Sequence, residues 1–169
     1  MKHGNASLAV ALALAAGGAA AGPHEHGVGH LQAAVDGRTL AIEVRLPAKD
    51  LVGFERAPRT DAERARIEDA RRALADPRLF QPAAAAKCTI VGAPSASAPA
   101  FSGKTGAADD HADFEATHRF ECADSGALSA LEHGVFKAFP RIKQLRVQAV
   151  GPKGQKQATL THGKPRLSF

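Results

Sequence analysis

Between Thr39 and Leu46 the chain alternates with a period of two. Leu40, Ile42, Val44 and Leu46 are apolar, and Thr39, Ala41, Glu43 and Arg45 fall between them. A period of two puts successive side chains on opposite faces, so this is a strand with one buried face. Pro47 lacks an amide hydrogen and ends it. Asp36-Gly37 just before it is a hairpin turn signal. A first strand therefore ends at Val35 and begins inside the stretch His24 to His30. The chain is thus committed early to a sheet whose apolar face must be covered.

The remaining elements follow from similar signals. Residues 48–59 form an irregular connection in which Leu51, Val52 and Phe54 tuck against the core. Thr60 with Glu63 three residues on is a capping box, and a thinly apolar helix runs from there to about Ala75. Asp76-Pro77 stops it. A strand around Lys87 to Val91 carries Cys88. The Ala-, Ser-, Pro- and Gly-rich stretch 93–108 reads as the body of a flexible loop over 93–110. The strand His111 to Cys122 sets Phe114, Ala116, His118, Phe120 and Cys122 on one face. Leu128, Leu131, Val135 and Phe139 have helical spacing and predict a helix over 127–139. Strands over 143–150 and 157–162 flank the turn Gly151-Pro152-Lys153-Gly154, and Leu167 and Phe169 add a last edge pairing. The expected order is ββ-α-ββ-α-ββ. That is an α+β class with an antiparallel sheet built from hairpins and two helices, a single domain over residues 22–169.

The first residues give the chain its address. Lys2, the apolar run Leu8 to Ala16 and the A-x-A pattern at Ala19 and Ala21 read as a secretory signal peptide over 1–21. The run is shorter than the roughly 20 residues a membrane span needs, and no later segment could cross one. The expected location is periplasmic. In an exported chain the only two cysteines, Cys88 and Cys122, are expected to form a disulfide. A metal-ligand pair is the alternative, although no close-spaced C-x-x-C occurs. The strands flanking the loop would pair antiparallel and bring the two together. Net charge is +5, yet Arg64, Arg66, Arg71 and Arg72 alternate with Glu63, Glu68 and Asp69, as on a solvated helix face. With no Trp or Tyr to stack on bases, the chain is not read as a nucleic-acid binder.

Histidine carries the chemistry. His24, His26 and His30 lie in the segment HEHGVGH, and neutral imidazole is the commonest ligand for zinc, copper and nickel. In a strand His24 and His26 share a side about 6.6 Å apart, close enough to converge on one ion, whereas His30 is about 13 Å beyond His26. Only a bend at Gly27 or Gly29 would bring His30 in. The alternative is a solvated tail that binds metals weakly. Zinc takes four ligands, or three plus water, so further donors are sought at His111, His118, Asp110 and Asp113. His118 has two readings, a ligand or a core histidine bonded to a backbone carbonyl. His133 and His162 read as surface residues. No G-x-S-x-G, H-E-x-x-H or phosphate loop is present, so the chain is not read as an enzyme. A zinc hydrolase would have only Glu25 as a base inside the cluster.

The residues together resemble the ZrgA-like zinc-binding periplasmic proteins. The resemblance rests on His26-Gly27 and Asp36-Gly37, then Leu46-Pro47-Ala48 with Asp50-Leu51-Val52-Gly53-Phe54-Glu55. It continues through Cys88, His111-Ala112-Asp113-Phe114-Glu115 and Arg119-Phe120-Glu121-Cys122. Leu131 to Ile142 and Val147-Gln148 complete it. The resemblance implies zinc binding through histidines, first His24, His26 and His111, in a helper or buffering role beside a zinc ABC importer or its binding protein. Two departures stand out. The loop between the cysteines keeps only Asp109, Asp110 and His111 of a longer metal-rich insert, which argues against high-capacity buffering. Arg56 stands where the family phrase continues with His, and a guanidinium offers a metal no lone pair.

Overall fold

The structure, a computed structural model, describes residues 25–99, 101 and 112–169. The signal-peptide reading over 1–21 lies outside them, as do His24 and His111. In chain order the elements are β1 (Val28–Asp36), β2 (Thr39–Pro47), α1 (Ala48–Val52), α2 (Asp61–Leu74), β3 (Phe80–Pro82) and β4 (Cys88–Ile90). Then come β5 (Ser95–Ser97), β6 (Asp113–Cys122), β7 (Ala130–His133), α3 (Val135–Ala138), β8 (Gln144–Gly151), β9 (Gly154–Thr161) and β10 (Leu167–Ser168). Among the described residues this is a mixed α+β fold, mostly sheet.

The main sheet has the order β4-β6-β2-β1-β8-β9, with β5 also paired to β6. β1 and β2 form the expected hairpin, closing at Asp36↔Thr39. Gly37 sits at φ +55° in its turn, a conformation open to glycine at no steric cost. Across the sheet one face collects a continuous apolar layer. Leu31 lies opposite Val44, Val44 opposite Ala116, and Val147 beside Leu31. All four are buried. The other face carries His30, Gln32, Glu43, Arg45, Glu115, Arg146 and Gln148, all exposed. This one-sided burial is what the alternation in β2, β6 and β8 dictates.

The hairpin reading does not extend to β8, which pairs with β1 in parallel, from Val28↔Gln144 to Ala34↔Val150. Alternation is blind to strand direction, so nothing in either strand distinguishes the two arrangements. β9 then returns antiparallel to β8 through Gly151↔Gly154, as the turn signal requires.

The expected helix over 127–139 is a correction. A 3₁₀ turn at Ser125–Ala127, the strand β7 and the short α3 replace it. Leu128, Leu131, Val135 and Phe139 are all buried, but by successive short elements. Two facts account for this. Partners exist on both sides of β7, giving the second sheet β10-β7-β3, with Phe80↔His133 and Leu167↔Leu131 in register. Gly134, which would sit mid-helix at a cost of about 1 kcal/mol relative to Ala, instead donates its N–H to the Leu79 carbonyl at 2.8 Å. The loop reading is also amended, because Ser95–Ser97 pairs with β6.

α2 starts as expected. The Glu63 N–H donates to Thr60 Oγ1 at 3.2 Å, and Ile67, Ala70 and Leu74 form its buried stripe. β4 sets Cys88 opposite Cys122, and the two are disulfide-bonded. That removes them as metal ligands. Among the described residues no helix is long and apolar enough to cross a membrane.

Candidate metal site at the start of the first strand

β1 is entered through a turn that other elements hold in place. The Val28 N–H donates to the Glu25 carbonyl at 3.0 Å. Gly27 then sits at φ +80°, where an L side chain would be strained. Its N–H donates to Oδ2 of Asp50 at 2.7 Å. Its carbonyl accepts the N–H groups of Lys143 at 2.7 Å and Gln144 at 3.0 Å. Asp50 belongs to α1 and is buried, and a buried carboxylate requires a donor. From Glu25 onward, then, HEHGVGH is part of the folded body and not a solvated tail. Its second glycine is fixed by packing. A Cβ on Gly29 would come within 2.3 Å of Leu46 Cδ2 and 2.8 Å of Leu145 Cδ2.

This turn leaves the His26 side chain 58% exposed, with Nδ1 at 4.0 Å from Oε1 of Glu55. Glu55 follows α1, just past its Gly53 cap. The next residue, Arg56, is occupied elsewhere. Its guanidinium donates to both carboxylate oxygens of Glu63, at 2.6 and 3.0 Å, and lies 5.1 Å over the Phe54 ring. The Arg56 hydrogen bonds first, then that of the Arg59 N–H, hold the pKa of the Glu63 carboxyl down to about 2.

α1 meets a second segment as well. The Ala48 N–H donates to the Ala112 carbonyl at 2.7 Å. The residue after His26 and the residue after His111 are therefore both bonded to α1, at positions two apart. Asp113 follows in β6, opposite Pro47.

The other candidate histidines lie apart from this place. The turn at Gly27 precedes β1, and the strand is not interrupted at Gly29. The strand pairs continuously from Val28, and His30 remains in the ladder between Arg45 of β2 and Arg146 of β8. Glu25 is drawn to the same outer face, where its carboxylate pairs with Arg146 at 2.6 Å. His118 is fully buried. Its Nε2 bonds the Leu74 carbonyl at 2.8 Å, so Nε2 carries the proton. Phe80 meets the ring edge-on at 4.8 Å. Burial lowers its pKa, against the opposing pull of the Leu74 carbonyl and Asp76. His118 thus follows the core reading.

His133 is half-buried, not a surface residue. Its Nδ1 accepts the Val135 N–H at 3.2 Å, and burial pushes its pKa down to about 4. His162 is exposed, donates to the Ile142 carbonyl at 3.0 Å and stacks on Phe136 at 4.7 Å. Among the described residues no three His, Cys, Asp or Glu side chains gather as a metal cluster.

Glu55 is the functional candidate that sequence reasoning missed. It stands 29 residues from His26, and no spacing rule connects them. Only its place directly after Gly53-Phe54 in a quoted family phrase pointed toward it.

Fold and site together define a class: a disulfide-stapled, mostly β domain presenting an exposed imidazole beside a carboxylate, a pairing suited to a divalent ion. Residues 23–169 match the family described as ZrgA family zinc uptake protein. The chain belongs to that family. No curated protein matches it.

Proposed function

We propose that this protein is a periplasmic accessory protein of zinc acquisition. It binds Zn²⁺ as cargo through His26 together with His24 and His111, and passes it toward a zinc ABC importer or its binding protein. It is not an enzyme in this reading. The ion is held for transfer. His30 and His118 take no part in the chelate.

One observation carries the reading. Gly27 and Ala112, the neighbours of His26 and His111, are bonded to the same short helix, through Asp50 and Ala48. Two histidine-bearing segments remote in sequence thereby share an anchor, which is what a site assembled from both requires. Membership of a zinc uptake family supports zinc as the ion. The disulfide supports an oxidising compartment.

The test is zinc titration of the mature protein purified without an affinity tag. Near-stoichiometric binding is expected, with a melting temperature that rises with zinc, because an ion bound only by the native state stabilises it by mass action. The double variant His24→Ala with His26→Ala should lose both effects. Unchanged stoichiometry in that variant rejects the site. No zinc uptake and no stabilisation in the wild type reject the function and favour a purely structural envelope domain.

A further inference from the structure

We infer that Glu55 is a carboxylate ligand of the ion bound at His26, and that Asp50 is the positioning residue that holds His26 to it. This rests on the zinc-binding reading above and adds to it a donor and a support that no sequence spacing indicates.

The geometry at Glu55 is the first argument. The 4.0 Å between His26 Nδ1 and Glu55 Oε1 is too long for a hydrogen bond. Two donors of one tetrahedral zinc, each at about 2.1 Å from the metal, stand about 3.4 Å apart. Closing that small difference asks only for a side-chain rotation, and the His26 side chain is 58% exposed and Glu55 23% exposed. Glu55 is also kept available. Its cationic neighbour Arg56 is engaged by Glu63 in a two-pronged pair and by the Phe54 ring, so Arg56 is already committed away from Glu55.

The second argument is the support. A ligand on a turn is useful only if the turn is fixed, since ligand placement must be held to fractions of an ångström. Asp50 supplies this from a buried position by accepting the Gly27 N–H at 2.7 Å. Lys143 and Gln144 grip the carbonyl of the same residue, on the next peptide unit. Asp50 in α1 and Glu55 just after it lie five residues apart, so one short stretch of chain carries both the support and the added ligand.

The experiment measures zinc affinity of the full mature chain by competition with a chromophoric chelator. The visible spectrum of the Co²⁺-loaded protein reports the donor set. Metal-free melting controls for folding. Glu55→Gln should weaken zinc at least tenfold and alter the cobalt bands, with the metal-free melt unchanged. Asp50→Ala should weaken zinc comparably, and Asp50→Asn, which keeps an oxygen acceptor for Gly27, should recover most of the loss. Wild-type affinity and spectrum in Glu55→Gln, alongside a weakened His26→Ala, overturn the ligand while leaving the zinc reading intact. A loss in Asp50→Asn as large as in Asp50→Ala overturns the positioning role. If Asp50→Ala does not fold, the Glu55→Gln and Asp50→Asn results still decide. Absence of zinc binding in the wild type defeats the function and this inference together.

Discussion

His26 and His118 place the same side chain in two opposite settings. His26 projects from a turn, more than half exposed, with a carboxylate within 4.0 Å. Its backbone surroundings are tied down by Asp50, Lys143 and Gln144. His118 is fully buried in β6, and its Nε2 bonds the last carbonyl of α2. That bond satisfies a helix-terminal acceptor that has no partner within the helix, and it ties α2 to the sheet. The region around His26 is a rigid backbone presenting a free ligand. The region around His118 is a packed interior in which the imidazole is mortar. Histidine content therefore says little about metal sites until exposure and backbone support are known.

The sharpest way to test this contrast is to remove the interior histidine. His118→Ala opens a cavity against Phe80 and leaves the Leu74 carbonyl without its donor, at a cost of about 3 kcal/mol. Denaturant unfolding of the metal-free protein should show that loss, while zinc affinity of the folded fraction stays at the wild-type value. A weakened zinc site in a variant of unchanged stability would reverse the assignment. Next in size is Gly29→Ala. Its methyl would press on Leu46 and Leu145, and overpacking of this kind costs about 1–3 kcal/mol. Both melting temperature and zinc affinity should fall, because the strand that begins at the His26 turn is displaced.

Acid perturbs the same interior more gently. Burial depresses the pKa of His118, and that of His133 to about 4, from an ordinary 6.5. Between those values the unfolded chain binds protons that the native state refuses. Stability is then fully present above about pH 6.5 and is lost as pH falls toward 4. Metal-free melts across that window should decline with acidification. In His118→Ala the decline should be shallower. A flat profile in the wild type would mean that these rings are more solvated than their contacts indicate.

The contrast also explains what the sequence disclosed. Leu40 to Leu46 and Asp36-Gly37 act locally, through period and turn geometry, and they located the β1–β2 hairpin. Phe114 to Cys122 share a parity that correctly grouped His118 with core residues, and the flanking strands predicted the Cys88–Cys122 bond. Three features depend on partners far along the chain. The parallel pairing of β1 with β8 leaves no mark in either strand's alternation. Ala130–His133 became a strand because β3 and β10 flank it, which overrode a helical spacing. Glu55 stands near His26 where Asp50 bonds Gly27, and a buried hydrogen bond between residues 23 apart has no local signature. The family resemblance reached Asp50 and Glu55 as parts of a phrase, without their roles.

The smallest expected effect on stability falls at the other pole of the comparison. His26→Ala removes a largely exposed ring whose nearest carboxylate is 4.0 Å away, so the metal-free protein should change by no more than about 0.5 kcal/mol. The backbone around position 26 should persist, since Asp50, Lys143 and Gln144 grip Gly27 and not the imidazole. What should change is the response to zinc. Wild-type protein gains stability as zinc rises past its dissociation constant, and His26→Ala should need a higher concentration for the same gain. Equal metal-free melts with diverging zinc-dependent melts would separate the ligand from the mortar. A large metal-free loss in His26→Ala would instead mean that the exposed ring supports the fold, and the distinction between the two histidines would dissolve.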